Sequence, residues 1–236
     1  MKIIFLKKTS STEDYIRKLY KKQAKTREPL AVVSEVQTKG RGTKGRSFSS
    51  LKGGAYLSVL TFYDDFSASD AFKINQKISV AVVKTLLAFS VPANIKWPND
   101  IYVNDKKICG MLINNSFSDG KVDYTITGIG VDVNNDIPEE LKDVAVSVKQ
   151  ITGKEIDLKS FIFTLLYNLE NEQETGLYAR YSMVLGRKVK ILYRDGAHYT
   201  ATPVSVTDDG RLLLDNGRLL CAEEVSLRLD DSHDLS

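Results

Sequence analysis

The sequence predicts an α+β fold, a mixed β-sheet flanked by helices, with a small antiparallel barrel at its C-terminal end. Three observations carry this. Apolar residues at 71, 74, 78, 81, 82 and 86 keep helical spacing, runs such as "LAVVSEVQ" (30–37) and "AYLSVLTF" (55–62) have strand character, and beyond about residue 180 only short strands remain. The change of texture there divides the chain into residues 1–180 and 181–236.

The elements follow in order. Ser10, Ser11 and Thr12 ahead of Glu13 and Asp14 form a helix start, after which Tyr15, Ile16, Leu19 and Tyr20 share one face. The basic stretch Lys18 to Arg27 reads as the solvated side of that helix. Strand 30–37 leads into the glycine-rich "TKGRGTKGRSFSS", and strand 55–62 leaves it, so this loop joins two strands. A core-facing helix covers 71–87. "IKW" and "IYVN" flank Pro98, Asn104 and Asp105 supply turn chemistry, and "KICGMLIN" is the hairpin partner. "VDYTITGIGVDVN" continues the sheet and an amphipathic helix at 158–173 closes the first part. In the remainder, "GRKVKILY", "HYTATPVSV", "RLLLD" and "RLLCAEEVSLRL" are separated by the turn signals "RDG", "DDG" and "NG".

Composition narrows the function. The 236 residues carry 33 lysines and arginines against 30 aspartates and glutamates, a formal charge of +3, which is too weak for a whole-surface attraction to nucleic acid or an anionic membrane. The apolar runs are far shorter than the roughly 20 residues that span a bilayer, and no signal-peptide core follows Met1, so a cytoplasmic location is expected. Cys109 and Cys221 suggest neither a disulfide framework nor, with only His198 and His233, a zinc site; no metal-ligand residues can be assigned.

Two constellations carry chemistry. "GRGTKGRS" (40–47) nearly matches the phosphate-binding pattern G-x-x-x-x-G-K-[ST], but Arg46 stands where lysine should, and the following "SFSSLKGG" is poor helix material. A P-loop therefore does not fit. A surface hairpin would suit the composition, but glycines that let backbone N–H groups converge, together with arginines, suit a lid over a polyanionic ligand better. In "KWPNDIYVNDKKICGML" (96–112), Asp100 and Lys107 flank one hairpin and can meet at one reacting centre, while Gly110 permits close backbone approach.

"GRGTKGRSF", "KWPND", the K-x-x-G-x-L of Lys107 to Leu112 and "GIGVDVN" (128–134), in this order, resemble the biotin protein ligases. The resemblance runs from about Ser11 to Asn135 and resumes more loosely in the C-terminal part. It implies a catalytic domain (1–180) related to class II aminoacyl-tRNA synthetases, an SH3-like domain (181–236), and a reaction: biotin and MgATP give biotinyl-5′-AMP, from which biotin passes to one lysine of a biotin carboxyl carrier domain. ATP, biotin and Mg²⁺ are the implied cofactors. No histidine base is needed, because biotin's carboxylate is already ionised.

By the same resemblance, Lys107 bridges carboxylate and α-phosphate, Arg41 and Arg46 belong to the loop over the adenylate, and Asp100 takes or orients the proton of the acceptor amine. Biotin contacts fall to Ser11, Thr12, Gln37, Gly40, Arg41, Ser58, Lys107 and Gly110. Nucleotide contacts fall to Arg41, Gly42, Arg46, Phe48, Lys96, Trp97, Asn99, Lys107, Asp132 and Asn134. Thr12 would serve equally as a helix cap, and Ser58 as a small inward residue. Phe48 stands where the family usually has tryptophan, Thr43 where many members have an arginine that helps retain the adenylate, with Lys44 beside it, and Asp132 where asparagine is usual. The helix start lies too near Met1 to admit a DNA-binding winged helix, so neither sequence-specific DNA nor a membrane is expected as a partner; a homodimer is compatible. A lipoate ligase would share fold and chemistry without KWPND. A single-strand nucleic-acid module would need aromatics among the loop charges, where only Phe48 lies.

Overall fold

The computed structural model describes residues 1–42 and 45–229; the expectations placed on Thr43, Lys44 and His233 fall outside them. A seven-stranded mixed sheet organises the molecule, in the order β1 (Lys2–Leu6), β2 (Leu30–Ser34), β3 (Ala55–Phe62), β7 (Lys121–Val131), β6 (Lys106–Ser118), β5 (Asp100–Val103) and β4 (Asn94–Lys96). Only β1 and β2 run parallel. The remaining neighbours are antiparallel, and their hairpins are local. Asn104, at φ 53°, makes the turn from β5 to β6, as the Asn-Asp pair predicts.

Helix α1 (Thr12–Gln23) lies on one face, packing Ile16 against Leu30, Val32, Leu60 and Ile126. The long α2 (Ala71–Ala88) and α4 (Leu158–Asn171) cover the other. There Val80, Val83 and Leu86 of α2 meet Phe161 and Leu165 of α4 above Leu57, Ile101, Ile108 and Ile129, all buried. The two short helices, α3 (Val148–Thr152) and α5 (Leu177–Arg180), close the edges. Buried Thr85 returns its hydroxyl to the Ala81 carbonyl and accepts from Asn168 Nδ2 of α4, so the polar atoms between the helices are satisfied.

The C-terminal strands form two three-stranded antiparallel sheets, β10 (Pro203–Val206), β11 (Leu212–Leu214) and β12 (Leu219–Leu220), and β13 (Val225–Leu229), β8 (Val189–Tyr193) and β9 (His198–Ala201). They share a core of Val189, Ile191, Leu212, Leu214, Leu220 and Leu227. This is the small barrel-like unit that the short strands predict. Trp97 belongs to this second core: 5% exposed, it donates its indole N–H to the Gly210 carbonyl at 3.0 Å. Ile95 extends the joint, donating to Tyr181 O and accepting from Met183 N.

Two sequence readings need correction. The opening "KIIFL" was not read as an element, yet it is the edge strand β1, because parallel pairing with β2 depends on residues nearly thirty positions away. Arg27, placed in a solvated face, instead leaves the helix at φ 54°, pairs with Asp123 at 2.8 Å and lies 5.1 Å over the Phe62 ring. We expect Trp97→Ala to cost about 3–5 kcal/mol in chemical denaturation and Trp97→Phe about 1 kcal/mol, the value of one hydrogen bond. Equal losses in the two variants would show that the indole N–H, rather than ring packing, carries the joint.

Candidate active site

The sheet leaves a flat patch where β6 and β7 pair. Gly110 faces Gly130 across the ladder, and Gly128 stands opposite Leu112 and Ser58. The Phe48 ring lies on the patch: a Cβ at Gly130 would come within 2.5 Å of it, and one at Gly110 within 3.0 Å. Tyr56 meets the same ring edge-on at 6.3 Å. The glycines are thus required by close approach rather than by backbone angle.

Around this patch lies a narrow cleft, concave and lined by both polar and apolar residues. One wall is the start of α1. Ser11 caps the helix, accepting from Asp14 N at 3.3 Å, and Thr12 presents its hydroxyl inward. Thr12 Oγ1 is 2.8 Å from Ser58 Oγ and 3.0 Å from Gln37 Oε1, which also accepts from Thr12 N at 2.8 Å. Thr12 is therefore both the first helical residue and a cleft residue.

The charged end holds Lys107, whose Nζ donates to Asp100 Oδ1 at 2.7 Å. A bulge between Ile101 and Tyr102 on β5 sets their register: Tyr102 opposes Lys107, whereas Ile101 opposes Cys109. Both side chains keep about a third of their surface exposed, so the pair is reachable from the cleft mouth. Lys96 sits behind it, 4.6 Å over the Tyr102 ring; burial holds its ammonium below the usual value, opposed by Asp100.

Residues 40–42 pair antiparallel with residues 46–48 as the arms of a hairpin. Phe48 N donates to Gly40 O, Gly42 N to Arg46 O, and Arg41 bridges Ser47. The expectation that loop N–H groups converge on an anion therefore fails at Gly42 and Phe48, because antiparallel pairing already satisfies them. The guanidinium of Arg41 reaches Asp14 at 3.0 Å and lines the cleft with Gly42, while Arg46 is exposed and outside the lining, near enough for its charge to act on Tyr102.

Of the predicted site residues, Ser11, Thr12, Gln37, Arg41, Gly42, Phe48, Ser58, Asp100, Lys107 and Gly110 come together on the cleft wall. Gly40 backs them: a Cβ there would lie 2.4 Å from Phe48 O. Arg46 and the other five stand outside the wall. Trp97 is in the C-terminal core and Lys96 against Tyr102. Asn99 is buried with Nδ2 3.4 Å from Met111 O. Asn134 uses both amide atoms on the Ile156 backbone, at 2.7 and 2.9 Å. Asp132 accepts from Asn135 Nδ2 at 2.8 Å, and burial pushes its carboxyl up to about 6. Sequence reasoning missed Glu13, Leu112, Gly128 and Gly130 as wall residues. The i, i+2 glycines of "TGIGV" were the available signal, since alternate residues of a strand share a face.

A family model described as the biotin/lipoate A/B protein ligase family matches residues 5–132. The bifunctional ligase/repressor BirA of Bacillus subtilis is 31% identical over 202 residues, covering 80% of this chain and 62% of that protein. The BirA of Bacillus spizizenii is 30% identical over 227 residues, 90% of this chain and 69% of that protein. The chain thus spans about two thirds of these relatives' length. Among solved structures, the biotin protein ligase from Aquifex aeolicus in complex with biotin and ATP superposes with a TM-score of 0.78 at 30% identity, covering 97% of this chain and 99% of that one. The fold is that of the biotin protein ligases. The chain belongs to the biotin/lipoate A/B protein ligase family.

Two outcomes test this geometry. Gly130→Ala drives a methyl group into the Phe48 ring, an overpacking cost of about 1–3 kcal/mol that Phe48→Ala in the same chain relieves; a double-mutant cycle on denaturation midpoints measures the coupling. Asp132 ionises at a higher pH in the fold than when unfolded, so its contribution to stability is full below about pH 4 and falls as pH rises to about 6. Allowing for solvent at its open edge, Asp132→Asn gains about 1–2 kcal/mol at pH 7.5 and little at pH 4, read from paired melting curves.

Proposed function

We propose that the chain is a biotin protein ligase, activating biotin with MgATP to biotinyl-5′-AMP and pyrophosphate and passing the acyl group to one lysine of a biotin carboxyl carrier domain. The observation that carries this reading is the Lys107–Asp100 pair, 2.7 Å apart beside a side-chain-free patch at the end of a cleft whose other end, where Arg17 neutralises Glu13, is hydrogen-bonding. One end suits a carboxylate and a phosphate, the other a cyclic urea. The relatives reported above carry biotin-ligase or BirA names, and the Aquifex structure holds biotin and ATP, which favours biotin over lipoate.

The chemistry follows from charge. Biotin's carboxylate needs no base, so the first step is an in-line attack of its oxygen on the α-phosphorus with pyrophosphate leaving. The Lys107 ammonium neutralises both oxyanions as they approach, and Arg41 exchanges Asp14 for phosphate. Magnesium enters with the triphosphate as part of the substrate. Among the described residues no three acidic, histidine or cysteine side chains cluster to hold a metal, and no step is assigned to a resident ion. In the second step the acceptor ε-ammonium gives a proton to Asp100, its amine attacks the acyl carbon, and AMP departs. Phe48, on its glycine patch, shields the mixed anhydride from water.

Residues 1–180 would be the catalytic unit and 181–236 the SH3-like one, in the cytoplasm; among the described residues no helix is long and apolar enough to cross a membrane. Lys107→Ala should lower biotin-dependent pyrophosphate exchange by about 10²–10³-fold, the effect of removing one transition-state donor, with the melting temperature kept. Exchange near the wild-type rate, or equal turnover of lipoate, would overturn the assignment.

A further inference from the structure

A hydrogen-bonded line runs from the neutral end of the cleft to the hairpin that carries Phe48. Ser58 Oγ lies 2.8 Å from Thr12 Oγ1, and Thr12 Oγ1 lies 3.0 Å from Gln37 Oε1. Gln37 Nε2 donates to Ser50 Oγ at 3.0 Å, and Ser50 Oγ donates to the Phe48 carbonyl at 3.2 Å. The direction of every bond is fixed by one atom. The backbone N–H of Thr12 donates to Gln37 Oε1 at 2.8 Å, and a backbone N–H can only donate, so the amide oxygen must face Thr12 and the NH₂ must face Ser50. Thr12 spends its single proton on Gln37, which makes Ser58 the donor to Thr12 and leaves lone pairs on the Ser58 oxygen.

Ser50, 5% exposed, has no part in the cleft wall and was not among the site residues that the sequence predicts. Its hydroxyl nonetheless holds the outer end of this line. The Gln37 backbone N–H also donates to Ser50 O at 3.3 Å, so the two residues are tied twice. Gly40 is threaded between them: a Cβ would fall 2.7 Å from Ser50 Oγ and 3.3 Å from Gln37 Nε2. The tie therefore requires glycine at position 40.

We propose that Ser50 is a positioning residue that locks the orientation of the Gln37 amide from the loop side and ties it to the backbone carrying Phe48. The effect on ligand rests on the biotin-ligase reading; the effect on the hairpin does not. In Ser50→Ala the Gln37 NH₂ and the Phe48 carbonyl each lose their bond to the Ser50 hydroxyl, so the amide is held from the Thr12 side alone and the hairpin loosens.

Hydrogen exchange on the ligand-free, full-length chain tests the first part. Ser50→Ala speeds exchange of the Phe48 and Gly42 amides about fivefold, the effect of one lost hydrogen bond, while β3 and β7 keep their protection and Ser49→Ala, at the exposed neighbour, changes nothing. Calorimetric titration with biotin alone tests the second. Ser50→Ala weakens binding about fivefold, and Gln37→Ala combined with Ser50→Ala is no weaker than Gln37→Ala by more than about twofold, as two residues acting through one amide require. Unchanged exchange in the hairpin, loss of protection spread equally over the sheet, or effects that multiply in the double variant would each overturn the proposal. A wild-type chain that binds no biotin would instead sink the ligase reading, and with it the ligand part of this proposal, leaving the exchange measurement to decide the hairpin part.

Discussion

The absence of side chains at two facing positions of the central sheet governs the rest of the site. Gly110 and Gly130 sit opposite one another on β6 and β7, and together they let an aromatic ring lie almost on the backbone. Any other residue at Gly130 would put a Cβ within 2.5 Å of that ring and push it off the sheet. The hairpin arm that carries Phe48 can then pack down onto the sheet because no side chain stands beneath the ring. Strand pairing and ligand access are in this way decided by the same two residues.

Electrostatics adds a second constraint. The chain as a whole is nearly neutral, and the cations at the cleft are held by carboxylates, Lys107 by Asp100 and Arg41 by Asp14. Each pair is partly exposed, so its own contribution to stability is small. The arrangement instead orients positive groups toward the cleft while keeping them solvated and paired. Lys96, pressed against Tyr102 by burial, is the one whose charge is disfavoured, which sets it apart from the two ion-paired cations.

Much of the architecture was legible because it is local. Helical spacing from Ala71, the Asn104–Asp105 turn and the glycine-marked turns after residue 180 each depend on near neighbours, and the elements formed there. Strand β1 was not legible, since a five-residue apolar run becomes a parallel edge only when β2 arrives beside it. The site shows the same division. Short motifs located Thr12, Gln37, Asp100 and Lys107, because their residue types and order are unusual. They could not show that Trp97 and Asn134 face other partners, or that Gly128 and Gly130 form the patch, because side-chain direction is set by register and by the C-terminal sheets. Nor could composition show that the loop amides pair with one another.

The five residues from Lys96 to Asp100 hold two structures together. Trp97 is anchored in the C-terminal core through Gly210, the Pro98 carbonyl accepts from Tyr178 of α5 at 2.7 Å, and Asp100, two positions on, grips Lys107. A disturbance that begins in the small sheets, remote from any ligand, thus has a short and stiff route to the ammonium group at the cleft. The C-terminal sheets share one short backbone segment with the ion pair, and damage there would masquerade as a chemical defect.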